Sequence, residues 1–213
     1  MDKRVILIGA GGHCKVIIDI IKSTNEYEIV GITDKNIKGS LLETPIIGDD
    51  IILEKLYESG VEYAFVCLGA IKDFSVRNKL YQMLKNIGFK VPILIHKNAI
   101  ISKYASIGEG TCVMPGAIVN PGANIGENCI INTGSIIEHD CKLENNIHIS
   151  PKVCLGGGVK IGNNSHIGIG STVIQGITIG NNVTIGAGAV VINDIQDECV
   201  AVGVPAKVIK TKR

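Results

Sequence analysis

The sequence predicts a two-part chain: an α/β half with a small, Rossmann-like parallel sheet, then a parallel β-helix built from hexapeptide repeats. Three observations predict it. Short apolar runs alternate with helical patterns up to about residue 95. From residue 96 an aliphatic residue recurs at every sixth position. Asparagine pairs recur every eighteen residues, at 145–146, 163–164 and 181–182. The expected domains are therefore 1–95 and 96–213.

In the first half, Arg4-Val5-Ile6-Leu7-Ile8 reads as a strand that leads into the glycine loop GAGGHCK, residues 9–15. Residues 12–23 read as a helix with Val16, Ile17, Ile20 and Ile21 on one face. Residues 28–34 form a second strand, 50–59 a helix, 63–68 a third strand, 73–86 a helix and 92–95 a closing strand. Strands alternating with helices make βαβ units and a parallel sheet. The half is too short for a complete doubly wound dinucleotide domain. Its loop keeps Gly9 and Gly11 of the G-x-G-x-x-G fingerprint, but Cys14 replaces the third glycine. A coenzyme site, a seat for another phosphate and a plain tight turn all fit that pattern.

In the second half the aliphatic column runs from Ile101, Ile107 and Val113 to Val191, sixteen hexads without a slip. Four residues after each stands a second residue, usually small or β-branched, such as Thr111, Ala117, Ser135 or Ala189. Neither a helix nor a simple strand has this period; a parallel β-helix does. The eighteen-residue period makes three hexads one coil. Gly108, Gly126, Gly162 and Gly180 precede the asparagine-rich slots. Both residue types tolerate positive φ, so both suit corners.

Composition narrows the function. Net charge is +1, with no basic or acidic block, so nothing electrostatic points to nucleic acid or an anionic membrane. No apolar run approaches the roughly 20 residues of a membrane span. The N-terminus lacks a signal-peptide pattern. Seven cysteines without a C-x-x-C pair read as free thiols of a reducing compartment, so the expected location is cytoplasmic.

Candidate chemistry lies on one corner of the helix. Its column holds Pro121, His139, Gly157, Gln175 and Asn193. His139 falls outside the inward positions, and Gly156-Gly157-Gly158 one coil on leaves room beside it. Acyl transfer from a thioester needs a base that titrates near neutrality. Asp140 or Glu138 can orient the ring and raise its basicity. An exposed corner histidine is the bland alternative. His148 and His166 are eighteen apart and stack in one column, but the histidine spacings of 9 and 18 do not resemble those of the three-histidine γ-class carbonic anhydrases, so no metal is expected. Cys129 and Cys141 occupy small-residue slots and read as buried filler. Cys112 and Cys154 carry no chemistry.

The strict hexads and the ending Gly203-Val204-Pro205-Ala206-Lys207 resemble the left-handed β-helix acyltransferases. Those are typically trimers that bind acyl-CoA between neighbouring solenoids, and the winding hand is taken from that resemblance. Nearly the whole chain is similar to bacterial nucleotide-sugar acetyltransferases. These include UDP-4-amino-sugar N-acetyltransferases of the bacillosamine pathway, perosamine N-acetyltransferases and sialic acid O-acetyltransferases. The likeness rests on GAGGHCK, Asp34-Lys35, Leu68-Gly69-Ala70, Asn132-Thr133-Gly134, Glu138-His139-Asp140 and His148-Ile149-Ser150-Pro151.

The resemblance implies an enzyme that uses acetyl-CoA as co-substrate and acts on the amine of a nucleotide-linked 4-amino-deoxysugar. It implies a homotrimer with active sites between subunits. His139 would be the general base, supported by Asp140. Asn132 would contact the sugar. Gly11, Gly12, His13, Asp34, Lys35 and Gly69 would hold the nucleotide sugar. His148 would hydrogen-bond acetyl-CoA near its thioester, with Gly157, Ile169 and Ala187 in the same co-substrate site. The family usually reads G-A-G-G-H-G-K at the loop, and Cys14 departs from it. The departure matters if Cys14 faces the ligand and not if it faces the helix. Two other readings stay open: a hydroxyl acceptor, and a non-catalytic trimeric scaffold. A nicotinamide oxidoreductase is disfavoured by the short first half and by Cys14.

Overall fold

The computed structural model describes residues 3–71 and 73–212. They form two compact units: the chain through Gly69 with Ser75–Lys97, and Ala70–Phe74 with the chain from Asn98 onward.

The first unit contains β1 (Lys3–Ile8), α1 (Gly12–Thr24), β2 (Tyr27–Thr33), β3 (Ser40–Leu41), β4 (Thr44–Gly48), α2 (Leu53–Glu58), β5 (Tyr63–Val66), α3 (Ser75–Ile87) and β6 (Leu94–Ile95). The five-stranded sheet has the order β3-β4-β2-β1-β5. β1 lies parallel to β2 on one side and to β5 on the other. A central strand covered on both faces needs an unbroken apolar run. Val5, Ile6, Leu7 and Ile8 supply it, each at most 1% exposed. α1 packs on β2 and buries Cys14, Ile17, Ile18, Ile20 and Ile21. Val16, expected on that face, is only half-buried; Cys14 and Ile18 complete the stripe instead.

Several boundaries differ from those the sequence predicts. The hairpin of β3 and β4 is unexpected; its turn residues Leu42 and Glu43 have φ of 46° and 67°. Such a turn ordinarily carries Asn-Gly, and its absence hid the hairpin. The helix at 50–59 begins as a single 3₁₀ turn, Asp50–Ile52, whose Ile51 N–H is capped by the Asp49 side chain. The strand at 63–68 stops at Val66, and only Leu94–Ile95 of the run 92–95 is extended.

The second unit contains, among the described residues, sixteen two-residue strands from Ile100–Ile101 to Val190–Val191. They wind into three parallel sheets. The first face holds Ile100–Ile101, Ile118–Val119, Ile136–Ile137, Cys154–Leu155, Thr172–Val173 and Val190–Val191. The second runs from Ser106–Ile107 to Thr178–Ile179, and the third includes Cys112–Val113, Ile130–Ile131, His148–Ile149, His166–Ile167 and Thr184–Ile185. Partners on each face are eighteen residues apart, as in Ile118↔Ile136, Asn124↔Lys142 and Ile130↔His148. The hexad aliphatics from Val113 to Val191 are at most 3% exposed. Small residues four positions later, such as Thr111, Ala117 and Ser135, are buried beside them.

The corners divide the work between two residue types. The residue three after each aliphatic, from Gly110 to Gly188, has positive φ. It is Gly or Asn everywhere except Asp140 and Lys152. Gly108, Gly126 and Gly162 are not at those positions, contrary to the expectation that they serve positive φ. A Cβ on any of them would lie 2.7 Å from backbone of the next coil, so they permit close stacking. The first asparagine of each pair builds a ladder: the Asn145, Asn163 and Asn181 side-chain oxygens accept from the N–H of Glu127, Asn145 and Asn163, at 2.8, 3.1 and 2.9 Å.

Cys199–Val202 continues the third face beside Thr184–Ile185, and Lys207–Thr211 returns antiparallel to it. The turn between them holds the cis Val204–Pro205 bond. The returning strand covers the last parallel edge.

Candidate active site

His139 and Asp140 occupy the corner between the first and second faces. His139 Nδ1 donates to Asp140 Oδ2 at 2.8 Å, which leaves the Nε2 lone pair outward. Both side chains are exposed, at 63% and 73%. Asp140 stands in the left-handed region, φ 60°, a conformation that carboxamide and carboxylate side chains tolerate. Two glycines from neighbouring coils flank the pair. A Cβ at Gly157 would lie 2.6 Å from His139 Nε2, and one at Gly122 would lie 2.5 Å from Asp140 Oδ1. Gly157 is thus the opening against which the imidazole lies. Of the two carboxylates expected to orient the ring, Asp140 does so; Glu138 accepts from the His139 backbone N–H instead. The hydrogen bond to Asp140 raises the His139 pKa above the ordinary imidazole value; desolvation opposes it, and the charges of Asp140 and Glu138 add to it.

A second polar cluster lies on the third face and at the corner after it. Asn132 Oδ1 accepts from Thr133 N–H at 2.8 Å, which turns its Nδ2 toward His148 Nε2, 3.2 Å away. An amide N–H needs a lone pair there, so the His148 proton sits on Nδ1 and is donated to the Ala70 carbonyl at 2.6 Å. In the chain alone, His148 therefore bonds Asn132 and Ala70. It is only 7% exposed and both ring nitrogens are engaged; it orients Asn132. Ile169, by contrast, is exposed on this same corner, and Ala187 lies one coil beyond it. The His139 cluster and the Asn132 cluster are on different corners, so one chain does not bring them together.

The pattern repeats one coil on, where His166 Nε2 meets Ser150 Oγ at 2.8 Å. The His148 and His166 ring centroids lie 5.1 Å apart, with the planes tilted by 43°. Among the described residues no group of three or more His, Cys, Asp or Glu is placed to hold a metal. His166 Nδ1 is buried without a partner. Burial, then His148 and Lys212, push its pKa down to about 4. The unfolded imidazole, near pH 6.5, binds a proton that the folded one refuses down to about pH 4. Stability should therefore fall as pH drops through that window, by up to roughly 3 kcal/mol at about 1.4 kcal/mol per unit. Thermal unfolding at pH 7 and pH 4.5 should show the slope in the wild type and its loss in His166→Gln. Equal slopes in both proteins would exclude His166 as the source.

In the first unit the loops after β1, β2 and β5 meet at the carboxyl edge of the sheet. Gly9 N–H donates to Thr33 O at 2.8 Å. Gly11 is the N-cap of α1 and Gly12 its first residue. A Cβ at Gly11, Gly12 or Gly69 would meet nothing within 4 Å. Exposed amides at the start of a helix suit an anion. His13 is half-buried and Lys35 exposed. Cys14 is 0% exposed and faces the core, so the departure from glycine is absorbed by helix packing.

Asp34 points back at the glycine loop. Its Oδ2 accepts from Ala10 N–H at 2.8 Å and its Oδ1 from Asn36 and Ile37 N–H at 2.8 and 2.9 Å. Burial alone would raise its pKa; these donors and Lys38 outweigh it and hold the carboxyl below the usual range. Arg77, on α3, went unnoticed in the sequence. It is 2% exposed, and its Nη1 donates to the Val66 and Leu68 carbonyls at 2.9 and 2.7 Å, fixing the backbone that precedes Gly69. The apolar spacing of α3 gives no sign of an inward arginine. Cys129 and Cys141 are buried filler as expected.

Residues 4–84 match the family of the PglD N-terminal domain. Residues 104–139 and 158–193 match the bacterial transferase hexapeptide family. A histidine-to-asparagine variant of perosamine N-acetyltransferase from Caulobacter crescentus, in complex with CoA and GDP-perosamine, is 38% identical with a TM-score of 0.92; the match covers 97% of this chain and 96% of that one. The acetyltransferase domain of PglB from Neisseria gonorrhoeae FA1090, in complex with acetyl coenzyme A, is 35% identical with a TM-score of 0.90, over 98% and 100% of the two chains. UDP-N-acetylbacillosamine N-acetyltransferase of Bacillus subtilis (strain 168) is 37% identical over 116 residues, which are 53% of this chain and 51% of that relative. That match spans about half the curated relative's length. Together with the two-unit fold, these likenesses show that the chain belongs to the nucleotide-sugar acetyltransferases of the left-handed β-helix family.

Proposed function

We propose that the chain transfers an acetyl group from acetyl-CoA to the amine of a nucleotide-linked 4-amino-deoxysugar, with His139 as general base. One observation carries the reading. His139 gives its Nδ1 proton to Asp140 and leaves Nε2 exposed beside a residue without a side chain, Gly157. Nε2 takes a proton from the attacking amine as its nitrogen bonds to the thioester carbonyl carbon. The tetrahedral oxyanion, stabilised by backbone amides, collapses; the C–S bond breaks and the CoA thiolate takes the proton back from the imidazolium. No acyl-enzyme is formed, consistent with the burial of Cys129 and Cys141.

The acting form is a homotrimer in this reading. The outward residues of the first face are Ile100, Ile118, Ile136, Cys154, Thr172 and Val190, a largely apolar stripe; those of the second are Ser106, Asn124, Lys142, Lys160 and Thr178. A part-exposed apolar stripe on the first face suits a second copy. Packing of copies would also set the His139 corner of one beside the Asn132 corner of the next. The glycine loop with Lys35 and Gly69 would seat the nucleotide, and Ile169 and Ala187 would line the co-substrate site.

Thiol release from acetyl-CoA tests this with UDP-4-amino-4,6-dideoxy sugars, GDP-perosamine, and free and CMP-linked sialic acid. Release with one 4-amino sugar is the expected result and names the nucleotide. Release with sialic acid alone would move the chain to O-acetylation. No binding of acetyl-CoA would leave only a scaffold.

A further inference from the structure

We propose that Asp34 is a positioning residue of the nucleotide seat, acting through the glycine loop rather than on the nucleotide. The inference rests on the sugar-nucleotide reading above. A carboxylate at the end of the second strand of a parallel sheet invites the role of ribose ligand. Here three of its roughly four acceptor positions are already filled by backbone N–H groups. One bond reaches across to Ala10, between Gly9 and Gly11, and two fold the chain at 36–37 back on the strand end.

The geometry around Asp34 makes it a latch. In the loop after β1, Gly9, Gly11 and Gly12 carry no side chain, and no side chain caps α1 at Gly11. Two bonds tie the loop to the end of β2: Gly9 N–H to Thr33 O and Ala10 N–H to Asp34 Oδ2. The neighbouring loop after β5 is held in the same manner, by Arg77 on the Val66 and Leu68 carbonyls. In both, a charged side chain is bonded to backbone, and Gly11, Gly12 and Gly69 face open space while Gly9 lies against Leu68. A seat built this way is shaped before its ligand arrives, so less binding free energy goes into ordering the loop.

A double comparison separates latch from ligand. UDP and GDP are titrated calorimetrically into the wild type, and the one that binds is compared with its 2′-deoxy and 3′-deoxy forms. Asp34→Asn should weaken all three by the same factor, roughly tenfold to a hundredfold for a lost charged hydrogen bond. Acetyl-CoA affinity of the variant should be unchanged, which shows that it is folded. The proposal is overturned if removal of a ribose hydroxyl weakens binding to the wild type but not to Asp34→Asn, because the carboxylate then touches that hydroxyl. Unchanged nucleotide affinity in the variant would overturn it equally. If the wild type binds neither nucleotide, the sugar-nucleotide reading itself falls and the latch with it.

Discussion

Replacing His139 with alanine should lower turnover by about two to four orders of magnitude, the usual contribution of a positioned general base, if His139 acts as proposed. The fold should survive. The imidazole is mostly exposed and lies on backbone at Gly157 rather than in a packed core, so no cavity opens. Binding of nucleotide and acetyl-CoA should persist, which places the loss in kcat. The Asp140→Asn variant then tests how the base is tuned. Asp140 raises the His139 pKa by its hydrogen bond, and a base works only when deprotonated. In the wild type, activity should therefore rise with pH through that elevated value. Without the carboxylate the imidazole loses its proton at lower pH, so the acid limb of the kcat/KM profile should move down. The plateau should fall too, because the ring is a weaker base and its tautomer is no longer held. Full turnover in His139→Ala would end the assignment. An unmoved acid limb in Asp140→Asn would mean that another group titrates there.

The repeat made the solenoid legible because each hexad position has one structural duty. An inward aliphatic such as Ile131 can be read from spacing alone, and so can the buried slot four residues later. The His139–Asp140 pair was legible for the same reason: its column is outward, and the glycines after it leave room. What spacing does not encode is the direction of a hydrogen bond. That Asn132 turns its amide toward His148, and so commits the His148 proton to Ala70, follows only from the placement of Thr133 N–H and the Ala70 carbonyl. Asp34 stands out in the sequence beside Lys35, but its partner Ala10 is 24 residues away. Arg77 lies in a helical pattern where a cation ordinarily marks the solvated side. The hairpin turn at Leu42-Glu43 hid behind residues that rarely take positive φ. In each case a tertiary contact overrode a local preference.

Placing a charge in the stripe on the first face should have the second large effect. Ile136→Glu is the sharpest form. Ile136 points outward, half-buried, while its neighbour Ile137 fills the core at 0% exposure, so the solenoid keeps its interior. In an assembly the new carboxylate would be trapped against apolar neighbours, at a cost of several kcal/mol for each unpaired buried charge. Sedimentation velocity should show monomers, and circular dichroism an intact fold. Turnover should vanish with the assembly, because the His139 corner and the Asn132 corner of one chain are separate edges of the solenoid. Lys142→Glu on the second face is the control and should remain assembled and active. An assembled, active Ile136→Glu would mean that copies meet elsewhere. A monomeric variant that still turns over would mean that one chain holds a complete site, and that Asn132 and His148 serve the solenoid rather than the reaction.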